Sequence, residues 1–366
     1  MENIFGTRMR QARMMKKMSL DNLAAQLGED GVSKQALSKY ENGEMKPSTE
    51  ILSRLKEILG VTEEYLYSPL IFNIETTNIE FRKKKMNVKE LDAMKIRIQG
   101  DIEKYIAVRQ LLGATKGNIY NLTEPEGYIK ERKDAESFAS RVRAEWKLGE
   151  AAIVNVYSLL SDAGITMVET TEGPDFDGVS GEANGYKVIV LNKTKDDNVE
   201  RRRFTALHEL GHMMMGKHLD TSLKPKDVEN ICDAFASEML MPSARLKEIA
   251  ACRPEFSNRD LDNIRTSYGI SIDAIMLKLK YLDMISTRTY NTYIFKRAKS
   301  DKFRAFATET KYRETKPETL KDMVLRAVSA GMMTTEMGAQ MAGIEMEEIL
   351  SSTEYHIKIN QNSIWQ

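Results

Sequence analysis

The chain has 366 residues, 54 lysines and arginines against 54 aspartates and glutamates, and two cysteines, Cys232 and Cys252. The length suits two or three domains, the two cysteines are too few for a disulfide framework, and the balanced charge argues for no nucleic-acid or acidic partner at whole-chain level, although a local basic patch can hide within it. No secretory leader pattern and no run of about 18 apolar residues is present, so a soluble, cytoplasmic protein with no membrane partner is expected.

In chain order, residues 1–67 read as five short helices, with Leu23, Ala24, Leu27 and Ala36, Leu37, Tyr40 as apolar faces and Gly28–Gly31, Asn42-Gly43 and Pro47-Ser48 as breakers. Residues 68–87 read as a linker ending in the basic run 82–85, and residues 88–112 as a helix stopped by Gly113. Helices follow over about 134–146 and 149–163, then strands at Ile165–Val168 and Tyr186–Leu191, the second preceded by the Asn184-Gly185 turn signal. Asp197-Asn198 caps a helix over Val199–Met215, and the next helix runs from Pro225 to before Pro242. A small hairpin is expected near 287–297, a helix over Ile272–Met284, and two helical patterns around Gly331 and Gly343.

Residues 20–27 and 33–41 have the spacing of a helix-turn-helix. With Ala36, Leu37 and Tyr40 turned inward, Ser33, Lys34, Gln35, Ser38 and Lys39 are left on the other face. Ser33 is a natural N-cap whose helix start offers free N–H groups to a phosphate. Gln35 can read adenine, and Lys34 and Lys39 suit guanine or phosphate. A small helical bundle with a solvated face would use the same residue types. The segment Val32–Gly43, closing on Glu41-Asn42-Gly43, resembles the recognition helix of the Cro/phage-repressor (XRE) helix-turn-helix family. That resemblance implies double-stranded operator DNA as partner, read by a homodimer on paired half-sites. The basic run at 82–85 could add phosphate contacts.

Three of the four histidines, His208, His212 and His218, fall within eleven residues. His208-Glu209-Leu210-Gly211-His212 lies inside a helix, so both imidazoles share a face and can grip one ion. Glu209 flanks the position where water would bind and has the chemistry of a general base. Zinc needs a third protein ligand. His218 follows His212 too soon, whereas Glu229 and Asp233, four apart on the next helix, suit a ligand and a partner for the spare N–H of a ligand histidine. The five-residue motif alone also occurs by chance. Together with Phe235-Ala236-Ser237-Glu238-Met239-Leu240-Met241-Pro242, and with Val188–Asn192 as the preceding strand, residues 203–212 resemble the ImmA/IrrE metallopeptidase family over about 130–250. The resemblance implies a gluzincin-like zinc peptidase acting in gene regulation, which cleaves or antagonises a repressor or toxin partner, with a third ligand at the position of Glu229. Glu238 is expected to be structural and Cys232 to be a core cysteine rather than a thiol sensor. His218 is expected to be a loop histidine rather than a carbonyl-polarising group, and strand 186–192 to be open to an added substrate strand.

The expected fold is mainly α with a small β-sheet (α+β). Residues 1–67 form an all-α helix-turn-helix domain, 68–127 a linker and connecting helix, and 128–254 a zinc metallopeptidase domain. Residues 255–366 form a mostly helical region, expected to be structural, with a sensor or a partner-binding module as the alternatives. The expected function is a DNA-binding transcriptional regulator with a zinc metalloendopeptidase domain. The competing expectation is a non-catalytic regulator or antitoxin whose peptidase-like domain docks a partner.

Overall fold

The computed structural model describes residues 3–28, 32–67, 88–113, 122–172, 177–183, 185–193, 198–252, 255–310, 312–314 and 318–353. The linker, the basic run at 82–85 and residues 29–31 of the expected turn lie outside the described residues. The helices of the first half are α1 (Ile4–Met15), α2 (Leu20–Leu27), α3 (Lys34–Asn42), α4 (Thr49–Leu59), α5 (Glu63–Tyr67), α6 (Val88–Leu111), α7 (Arg132–Glu145) and α8 (Val156–Asp162). Strands β1 (Ile165–Thr170), β2 (Gly178–Ala183) and β3 (Tyr186–Asn192) follow. Then come α9 (Val199–Met215), α10 (Pro225–Leu240), α11 (Ser243–Ala251), α12 (Asn258–Tyr268) and α13 (Ile272–Tyr281). The last are α14 (Thr287–Lys299), α15 (Asp301–Thr308), α16 (Leu320–Ser329), α17 (Thr335–Ala342) and α18 (Met346–Thr353). The fold is mainly helical with one small sheet. No helix among the described residues is long and apolar enough to cross a membrane.

Two compact units result. One holds α1–α6 together with α16–α18; the other holds α7–α15 and the sheet. The stretch after 254, expected as one region, is thus divided after α15. In the first unit Met9, Leu23, Leu37, Leu52 and Leu55 make a common core. Buried Arg8 and Glu103, 3.0 Å apart, tie α1 to α6. The Leu320 N–H donates to the Tyr105 hydroxyl, joining α16 to α6.

In the second unit the strand order is β1-β3-β2, with β1 parallel and β2 antiparallel to β3. The whole of Val188–Asn192 is buried, as a central strand requires. Both of its edges are paired, so the expectation that 186–192 could take an added substrate strand is corrected: among the described residues β1 and β2 are the edge strands. A second correction concerns residues 287–297, which form α14 and not a hairpin. Their threonines and aromatics favour a strand. Ser286 caps the helix through the Thr289 N–H, and buried Tyr293 packs edge-on against Phe303 of α15, so tertiary packing overrides local propensity.

Candidate metal centre and nucleic-acid face

α9 begins where the Asn198 side chain accepts the Arg201 N–H at 3.0 Å, satisfying one of the free donors of the first turn. Its first half is anchored by Arg203, a fully buried cation. That guanidinium donates to the carbonyls of Ile153, Val154 and Gly269, pairs with Glu314 at 2.6 Å and lies over the Tyr312 ring. A buried charge persists only with such a full set of partners. Held in this way, α9 presents His208 and His212 one turn apart.

α10 starts at Pro225, where the missing N–H is harmless. It packs along α9 at Gly211, where a Cβ would stand 3.2 Å from the Phe235 ring. The glycine inside the histidine motif therefore lets the two helices approach. Ile231, Cys232, Ala234 and Phe235 turn into the core, which leaves Glu229 and Asp233 on the face toward the histidines.

The structure brings the side chains expected from spacing into one cluster. His208 Nδ1 lies 2.7 Å from Asp233 Oδ1. A proton donated there leaves His208 Nε2 unprotonated, and that atom is 3.0 Å from His212 Nε2. Glu229 reaches both rings, 3.7 Å from His208 and 3.5 Å from His212. One ligand atom from each of His208, His212 and Glu229 falls within 4.8 Å of the others, a set of the kind that can hold a metal ion. Glu209 is buried beside them and accepts a 3.0 Å hydrogen bond from the Ser180 hydroxyl of β2. Strand β2 can lie this close to α9 because residue 178 is glycine: a Cβ there would meet Thr205 at 2.8 Å.

Three neighbours fall outside the cluster. His218 sits on the single turn Gly216–His218, with its Nε2 3.4 Å from Glu124. Cys232 is buried in the core. Glu238, five residues beyond Asp233, is also buried. It takes hydrogen bonds from Ser140 and from the hydroxyl and N–H of Ser243, and it pairs with Lys278 of α13. Burial alone would raise its carboxyl pKa, but the ammonium and these donors outweigh burial and hold it below the usual range. Sequence reasoning missed Ser180, Gly178 and Lys278. The run Gly178-Val179-Ser180-Gly181 carries no strand pattern, and nothing local in Lys278 announces a buried partner forty residues away.

In the first unit, Ser33 caps α3 by accepting the Ala36 N–H at 3.2 Å. Leu37 and Tyr40 are buried, Ser33, Lys34, Gln35 and Lys39 are exposed, and Ser38 is half-buried. Lys34 pairs with Asp21 of α2 at 2.7 Å with both side chains mostly in solvent, a contact weak enough to exchange for a phosphate. Glu41 explains the closing Glu-Asn-Gly. It takes two hydrogen bonds from the Arg13 guanidinium, at 2.6 and 3.0 Å, and fixes α3 to α1. Gly43 ends α3 in the left-handed region at φ 75°, against Asn3.

Comparison with known proteins agrees with this division. Residues 9–66 match the helix-turn-helix family, and residues 162–280 match the IrrE N-terminal-like domain. The chain joins a helix-turn-helix domain to an IrrE-like domain. It is 27% identical over 233 residues to a protein of Methanococcus maripaludis strain C7 that carries the provisional name HTH-type transcriptional regulatory protein. The strain C6 counterpart is 26% identical over the same length, and each match covers 62% of this chain and 53% of the relative. A similarly named protein of Methanococcoides burtonii is 46% identical over 59 residues, 16% of this chain and 17% of that relative. The chain therefore spans about half the length of the first two relatives and much less of the third.

Proposed function

We propose that this protein is a DNA-binding transcriptional regulator whose IrrE-like domain is a zinc-dependent endopeptidase acting on a regulatory protein. The observation that carries the peptidase reading is the convergence of His208, His212 and Glu229 beside the buried carboxylate of Glu209. The set fits zinc. An ion with bonds of about 2.0–2.2 Å at tetrahedral angles spaces its ligand atoms roughly 3.3–3.6 Å apart; here the two ring nitrogens are 3.0 Å apart, and the Glu229 carboxylate faces both, with Oε2 3.7 Å from His208 and Oε1 3.5 Å from His212.

Zinc held by these three side chains would supply a Lewis acid for a peptide carbonyl and would acidify water at its open position. The chain's own groups account for the rest. Asp233 fixes the His208 tautomer and ring orientation. Glu209 takes the proton of the attacking water and returns it to the leaving amine. Ser180 holds one Glu209 oxygen, which leaves the other for that exchange.

We expect the purified protein to hold about one zinc per chain by elemental analysis, with Asp233→Asn weakening it roughly 10–100-fold in a chelator competition. Absence of zinc after purification without chelators would remove the peptidase reading and leave the second one. In that second reading the same domain docks a repressor or toxin without cutting it.

For the DNA reading, the exposed polar face of α3 is the support. Once an operator is selected from random duplexes, Gln35→Ala should cost about 1–3 kcal/mol at one base pair, and Lys39→Ala should weaken all sequences alike. Equal loss on every duplex from Gln35→Ala would show that another surface reads the bases. A homodimer on paired half-sites is part of this proposal.

A further inference from the structure

Away from the metal cluster, α11, α12, α13, α14 and α15 enclose an open cavity of about 880 Å³. None of its lining residues belongs to the cluster. Its floor is apolar, with Leu261, Met276 and Leu279 buried and Phe303 half-buried. Its wall is one face of α14, where Thr289, Thr292, Tyr293 and Lys296 recur at helical spacing. Exposed Lys247, Arg288 and Lys296 stand around it against a single acid, Glu255. None of these three cations has an ion-pair partner among the described residues, and in this Arg288 differs from most other arginines of the same unit.

A solvated surface explains lone cations, and a core explains leucines, but neither alone explains an open hollow that sets an apolar floor beneath a polar, cationic wall. Side chains normally close such a space. Small-molecule sites have this size and this make-up, an apolar body contact with a few polar groups that fix orientation.

We propose that this cavity is a binding site for a small amphipathic anion, an unbranched or ring-bearing apolar body with one carboxylate or phosphate head. The body lies on Leu261, Met276, Leu279 and Phe303, and the head meets Arg288 and Lys296, with Lys247 adding to the field. The inference does not rest on the peptidase reading, because no residue is shared. It does give that domain a route to a signal: α13 turns Met276 and Leu279 to the cavity, and its Lys278 bonds Glu238 of α10, the helix that carries Glu229 and Asp233.

The test is titration calorimetry on the full-length chain with decanoate, decyl phosphate and 1-decanol. Decanoate or decyl phosphate should bind at least tenfold more tightly than decanol, and the tighter of the two names the head group. The Arg288→Gln/Lys296→Gln double variant changes only exposed side chains. It should lose about tenfold in anion affinity with decanol unchanged and with an unaltered circular dichroism spectrum. Equal binding of anion and alcohol overturns the proposal, and so does undiminished anion affinity in the double variant.

Discussion

Glu209→Gln should leave the zinc content of the protein unchanged and lower proteolysis by about 10²–10⁴-fold, the range that a positioned general base contributes. The separation of the two effects follows from geometry. Glu209 is outside the set formed by His208, His212 and Glu229. Its contact is with Ser180, whose hydroxyl donates to it. A glutamine has the same shape and keeps a carbonyl oxygen for that hydroxyl, so the packing between α9 and β2 survives. What it lacks is the ability to take up a proton. His208→Ala makes the contrast: it removes a metal-facing nitrogen and also strands Asp233, so zinc and activity should fall together. Because the proposed substrate has still to be found, the measurement is a comparison of protein fragments in cells expressing wild type or Glu209→Gln. Fragments found with wild type and missing with the variant identify the target. Fragments identical in both would take the general-base role away from Glu209.

How much of this was legible in advance depended on how local the determining forces were. The span Val199–Met215 can be read from its cap and periodicity, and α9 has those bounds. The pairing of Glu229 and Asp233 with the histidines was equally readable, because each pair repeats at four residues and the intervening loop is short. Strand β2 was not. Gly178 and Gly181 depress strand propensity, and the strand exists because β3 offers an edge and α9 offers a surface that a glycine can approach. The division of the last hundred residues was hidden for a similar reason. Packing of α16 on α6 is a contact across more than two hundred residues, and no local pattern encodes it. In the helix-turn-helix domain the motif was recognised from Glu41-Asn42-Gly43, yet the reason for Glu41 is an arginine twenty-eight residues earlier.

Lys278→Met should destabilise the IrrE-like unit by about 3–5 kcal/mol, the cost of removing one partner from a buried ion pair. Lys278 is 2% exposed and Glu238 3%, so water cannot replace the lost ammonium. Glu238 would have to remain charged in the interior or take up a proton, and in both cases the loss is felt on α10. Adding Glu238→Gln to Lys278→Met should recover most of the stability, because the uncharged amide still accepts the Ser243 N–H and no ion is left unpaired. Urea unfolding of the two variants and wild type measures both numbers. A single-variant cost below about 1 kcal/mol would mean that the pair is not what fastens α13 to α10. The same pair sets an acid limit. The folded-state pKa of Glu238 lies below its unfolded value, so its contribution is complete above about pH 4.3 and fades as pH falls through the folded pKa. Lys278→Met removes that acid sensitivity along with the stability. Since α10 carries Glu229 and Asp233, the single variant should also bind zinc more weakly than the double, although neither change touches a residue of the metal cluster.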